Sequence, residues 1–112
     1  IDTFGPIGPY LQTELEQPIG VETRVNGEVR QDSDTSDLFF DIPELVATAS
    51  EFFTLHPGDV IATGTPPGTA SEDIAFEDWG TDTTPLALTP GDVVEVTVDG
   101  VGTLRNEVVS PE

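Results

Sequence analysis

Polar and apolar residues alternate with a period of two near the start of the chain: Val21, Thr23 and Val25 are separated by polar neighbours, and Val29 and Gln31 resume the pattern after Asn26-Gly27. That period belongs to strands covered on one side, and Asn-Gly supplies the two positive φ angles of a tight hairpin turn. A second hairpin is expected where residues 93–98 and 101–109, both rich in valine, flank Asp99-Gly100. Between the hairpins the period changes. Leu45, Val46, Ala49, Phe52 and Phe53 fall on one side of a helix, Asp41 and Glu44 have capping-box spacing, and Pro43 suits the first helical turn. Pro57-Gly58 ends anything helical.

Residues 59–63, Asp-Val-Ile-Ala-Thr, read as a strand hidden on both faces, which Gly64, Pro66, Pro67 and Gly68 forbid to continue. The chain must then turn at Thr65, leaving its hydroxyl and nearby backbone N–H groups at a strand end, where rigid scaffolds place chemistry. Pro57-Gly58-Asp59-Val60 recurs as Pro90-Gly91-Asp92-Val93, two similar entries from a turn into a strand and not a duplicated module. Between them, residues 71–85 gather acidic side chains around Phe76 and Trp79 and read as an inserted, solvated loop.

Composition sharpens this picture. A chain of 112 residues is one domain or a piece of one, and a compact body of that size buries roughly 65% of its unfolded surface, enough for a modest core. Against 22 acidic residues stand Arg24, Arg30 and Arg105, with no lysine, giving a formal net charge of −19. Such self-repulsion is tolerable where salt shortens the Debye length to about 3 Å, near 1 M, which points to a halophile's cytoplasmic protein. Nucleic acid is excluded as a partner because no basic patch replaces phosphate counterions. The sequence has no cysteine, no apolar run of membrane-spanning length and no basic leader.

Other chemistries fail on particular residues. Gly64 to Thr69 lacks the lysine of a phosphate loop, and Gly100-Val101-Gly102 lacks the third glycine and following helix of a dinucleotide fingerprint. His56 precedes a turn with no second imidazole or thiol beside it, and Asp32, Asp34 and Asp37 lack the glycine and distal glutamate of a calcium loop. Both read as solvated surface.

Four segments share the order and spacing of a known family: Asp2-Thr3-Phe4-Gly5-Pro6-Ile7-Gly8-Pro9-Tyr10; Val25-Asn26-Gly27-Glu28-Val29-Arg30-Gln31; Phe53-Thr54-Leu55-His56-Pro57-Gly58-Asp59-Val60-Ile61-Ala62-Thr63-Gly64-Thr65-Pro66; and Gly100-Val101-Gly102-Thr103-Leu104-Arg105-Asn106. Together they resemble the fumarylacetoacetate hydrolase family, in the C-terminal part of its catalytic domain. The resemblance implies a mainly β (α+β) fold, a mixed β-sheet roll with one main helix, in which residues 1–112 are a partial domain incomplete at the N-terminal side. It also implies Mg2+ or Mn2+ held by a Glu-x-Glu pair and a later Asp upstream of this segment, so that no metal ligand is assigned within it. Thr65 would hydrogen-bond the carboxylate or oxo group of a small anionic 2-oxo or 1,3-diketo acid, with Gly64 letting the backbone approach and Pro66 completing the substrate-binding motif.

The implied chemistry is cleavage, isomerisation or decarboxylation through an enolate, in a cytoplasmic homodimer that binds neither nucleic acid nor membrane. The family lysine also lies upstream, so the chain as it stands is expected to carry a substrate wall without a catalytic centre. Two other readings remain: a 2-keto-3-deoxy sugar acid dehydratase on the same scaffold, and a noncatalytic β module for binding or assembly.

Overall fold

Asn26 and Gly27 take φ angles of 53° and 82°, the pair that a two-residue hairpin turn requires. They join β1 (Gly20–Val25) to β2 (Glu28–Asp34). The structure is a computed structural model and describes residues 5–70, 72 and 87–110. After β2 come a single turn of 3-10 helix (Thr35–Asp37), α1 (Ile42–Phe52), and a second hairpin of β3 (Val93–Val98) and β4 (Gly102–Glu107). The four strands form one sheet in the order β2-β1-β3-β4, and every pairing is antiparallel. The described fold is thus mainly β with one helix, the class that the sequence implies.

Register gives the sheet two unlike faces. Val21, Thr23 and Val25 pair with Val98, Val96 and Val94, and Val96 pairs in turn with Leu104, so these side chains share one face. The opposite face is polar. There the Arg24 Nε donates to Glu22 at 2.7 Å, Arg105 approaches Glu95 at 3.7 Å, and the hydroxyls of Thr97 and Thr103 meet at 2.8 Å.

The helix begins as its sequence dictates. The Glu44 N–H donates to Asp41 Oδ1 at 2.7 Å and the Asp41 N–H to Glu44 Oε2 at 3.2 Å, a reciprocal cap that stabilises the first turn by about 1 kcal/mol. Its apolar stripe finds no cover. No residue of α1 is buried, and Phe52 is 74% exposed. The modest core expected from chain length is accordingly not assembled among the described residues, none of which is buried. One sheet makes one layer, and an apolar face becomes a core only when a second layer closes over it.

Two local expectations are corrected. The second hairpin does not close on a two-residue Asp99-Gly100 turn: Val98 pairs with Gly102, and Asp99, Gly100 and Val101 form a three-residue connection in which only Gly100, at 72°, has a positive φ. Residues 59–63 are not a strand. They make no ladder with the described sheet, and Val60 is 71% exposed, because a β-prone run becomes a strand only beside an open ladder of backbone groups.

The repeated Pro-Gly-Asp-Val sequence does build one turn twice. The N–H of His56 donates to Asp59 Oδ2 and that of Thr89 to Asp92 Oδ2, each at 2.7 Å, while the Asp59 and Asp92 N–H groups return to the His56 and Thr89 carbonyls at 3.0 Å. His56 is an exposed turn residue, as expected. The second copy leads into β3, and the first leads into the unpaired run before Thr65. The loop of residues 71–85 lies, apart from Glu72, outside the described residues.

Candidate functional site

The Thr63-Gly64-Thr65-Pro66-Pro67 segment crosses the apolar face of the sheet and walls a cleft of about 620 Å³ together with Val21, Gln31, Ser33, Asp37, Phe39 and Val98. All three residues singled out in the sequence, Gly64, Thr65 and Pro66, line it. Gly64 has φ of 102°, which glycine tolerates and other residues do not. A Cβ built there meets nothing within 4 Å, so backbone conformation and not close approach is the reason for glycine at this position.

Gln31 holds this loop to the sheet. Its Nε2 donates to Thr65 Oγ1 and to the Pro66 carbonyl, both at 2.8 Å. Alternation from the Asn26-Gly27 turn would put Gln31 opposite Glu22, on the polar face. The register instead shifts between Thr23 and Arg24: Val29 pairs with Arg24, Gln31 pairs with Thr23, and Arg30 is the extra residue of a β-bulge. The bulge therefore delivers Gln31 to the cleft and separates it from Val29, with which simple alternation groups it.

Arg30 and Gln31 both line a smaller hollow of about 170 Å³ beside Gly68 and Leu88. The Arg30 Nε is shielded from solvent and has no hydrogen-bond partner among the described residues. Gly68 anchors the far end of the loop. Its φ is 104°, and a Cβ there would collide with the Arg30 carbonyl oxygen. Here close backbone approach does require glycine, four residues later than the residue for which it is expected.

The cleft mouth is acidic and ordered by hydroxyls. Asp34 Oδ1 accepts from the Ser36 N–H at 2.7 Å, and Asp37 Oδ2 from the Ser33 hydroxyl at 2.6 Å. Hydrogen bonds from Ser36, its side chain first and then its backbone, hold the Asp34 carboxyl below the usual carboxylate range. Among the described residues no three His, Cys, Asp or Glu side chains gather in a group that could hold a metal ion. Likewise, none of the described helices is long and apolar enough to cross a membrane.

Sequence reasoning identified the Thr65 corner but missed Gln31, whose role depends on a register shift. The early signs were its place four residues beyond Gly27, on a strand expected to pair, and its position at the end of one of the four segments that carry the family resemblance.

Comparison with known proteins shows the family and the fold. Residues 1–109 match the family model described as fumarylacetoacetate (FAA) hydrolase C-terminal. The chain is 44% identical over 112 residues to the oxaloacetate tautomerase YisK of Bacillus subtilis, an alignment covering 96% of this chain and 34% of that protein. It is also similar to the crystal structure of 5-carboxymethyl-2-hydroxymuconate delta-isomerase from Mycobacterium smegmatis (TM-score 0.75, 43% identity, 91% of this chain and 35% of that one). A third is maleylpyruvate hydrolase from Sphingobium sp. SYK-6 in complex with manganese (II) ion and pyruvate (TM-score 0.69, 35% identity, 85% of this chain and 30% of that one). The chain spans about a third of the length of these relatives.

Proposed function

This chain belongs to the fumarylacetoacetate hydrolase family, and we propose that it forms the C-terminal part of a catalytic domain that cleaves, isomerises or tautomerises small 2-oxo or 1,3-diketo acids. The observation that carries this reading is the Thr65 corner, held over the apolar face by Gln31 and opening on a cleft large enough for a small dicarboxylic acid. Its relatives include a tautomerase, an isomerase and a hydrolase, reactions that share an enol or enolate of a 2-oxo acid.

In this proposal Thr65 donates a hydrogen bond to the carboxylate or oxo oxygen of the substrate. A donor aimed at an oxygen whose negative charge grows as the enolate forms lowers the barrier, and a fixed loop spends nothing on reorganisation. Gly64 supplies the left-handed corner that presents the hydroxyl, and the valines beneath exclude water from one side of the ligand. The family's divalent cation, Mg2+ or Mn2+, is assigned to residues outside this chain, as is the lysine. A second copy of the protein and the rest of the domain are the proposed cover for exposed side chains such as Phe39 and Phe52.

The test is made on the intact protein that contains this chain. Oxaloacetate keto-enol conversion and acylpyruvate hydrolysis are measured for the parent and for Thr65→Val. A loss of about 10²-fold or more in kcat/KM on one of these substrates is the expected result. Equal activity of the two proteins would remove the site from this loop.

A further inference from the structure

We propose that Gln31 is a positioning residue that occupies one lone pair of the Thr65 hydroxyl and leaves its proton for the ligand, so that the cleft prefers a ligand presenting an unprotonated oxygen at that point. This rests on the reading of Thr65 as a ligand-binding group and specifies what that ligand must offer. The proton arrangement follows from the partners. A side-chain amide donates at one end and accepts at the other, and the Pro66 carbonyl can only accept. The end of Gln31 that touches it must therefore be the NH2 group, and the same nitrogen reaches Thr65 Oγ1 at the same 2.8 Å. Both amide protons are then used, one on each acceptor.

Thr65 Oγ1 is left with a lone pair occupied and its own proton without an acceptor among the described residues. A hydroxyl in that state donates. It favours a carboxylate, ketone or enolate oxygen over an ammonium, which has no acceptor to offer and would leave the Thr65 proton unpaired. The bulge at Arg30 is what makes this possible, since it places Gln31 on the cleft face opposite Thr23.

The experiment uses the intact protein with oxaloacetate as substrate and pyruvate as competitive inhibitor. Gln31→Met keeps the length of the side chain and removes both donors. Gln31→Glu offers acceptors instead, so the Thr65 proton turns inward to the new carboxylate and is withdrawn from the ligand. Each variant is expected to raise the KM for oxaloacetate and the inhibition constant of pyruvate about tenfold or more. The loss in Gln31→Glu should shrink as the pH falls toward about 4 to 5, where the introduced carboxyl gains a proton it can donate, and the loss in Gln31→Met should not. Adding Thr65→Val to Gln31→Glu should cost little further.

If both Gln31 variants keep the parent KM and inhibition constant while Thr65→Val loses them, Gln31 does not set the proton and the proposal is overturned with the Thr65 site intact. If Thr65→Val is also unchanged, the site itself is wrong and the proposal falls with it. Thermal melts of each variant separate loss of folding from loss of binding, and the pH-dependent recovery is a signature that a merely structural glutamine would not produce.

Discussion

Asn26 and Asp92 are joined across the sheet by a hydrogen bond of 2.8 Å from the Asn26 side-chain amide, and the other end of the same amide accepts from the Val93 N–H at 2.9 Å. The Asn26 backbone N–H adds a bond of 2.9 Å to the Val93 carbonyl. One residue thus shapes the first hairpin turn and seats it on the entry to β3. Asn26→Gly keeps the positive φ and removes both side-chain bonds, and it should destabilise the intact protein by about 1–3 kcal/mol in urea unfolding. Asn26→Asp should be no better, because it loses the donor and sets one carboxylate against another. An unchanged urea midpoint for both would show that the seat contributes nothing.

Asp92 also predicts a response to acid. The Thr89 N–H first, then the Asn26 amide and the Thr89 hydroxyl, hold its carboxyl below the ordinary carboxylate range, and Ser36 does the same for Asp34. Both groups therefore favour the folded state fully above the unfolded pKa of about 4, and their contribution is lost as the pH falls through their lower folded values. Asp92→Asn should flatten the stability profile below about pH 4 and leave its shape at neutral pH unchanged. An identical acid limb for parent and variant would contradict this.

Gly68 and Gly64 differ in what surrounds them, although both have φ near 100°. Gly68→Ala faces backbone strain and a collision with the Arg30 carbonyl, while Gly64→Ala faces strain in open space. Each should cost roughly 1–3 kcal/mol, with Gly68→Ala the larger. The order of the two melting temperatures is the measurement, and a reversed order would refute the close-approach argument.

The 112-residue chain expressed by itself should behave as a loosely packed state in dilute buffer. None of its described residues is buried, and its formal charge is −19. Raising the salt toward 1 M should compact it by screening, without creating a sharp unfolding transition. It should show no turnover of oxaloacetate. A cooperative melt in low salt, or metal-dependent activity, would overturn this expectation.

What could be read from the sequence was what is decided locally. Asn26-Gly27 and the Asp41–Glu44 cap each settle their conformations within four residues, and the structure shows both. The paired Pro-Gly-Asp turns are equally local, and they form alike. Residues 59–63 carry the right residues for a strand, but strand formation needs a neighbour that their own sequence does not encode. Gln31 was hidden for a related reason: its face is decided by a bulge at Arg30, and an insertion of one residue in a ladder leaves no mark in the alternation on either side. The Thr65 corner could be found because glycine and proline announce a turn, whereas its partner could be found only in three dimensions.

Arg24 and Arg105 lie on the polar face of the sheet, paired with Glu22 and Glu95, away from the cleft. An oxo-acid anion, the ligand proposed for this cleft, would then diffuse toward a surface whose long-range field, as far as this chain's charge of −19 sets it, pushes it back. For most enzymes of charged substrates, added electrolyte slows capture by weakening attraction. Here it should quicken capture, so the association rate of pyruvate would climb with ionic strength, and brine would act as an aid to substrate delivery.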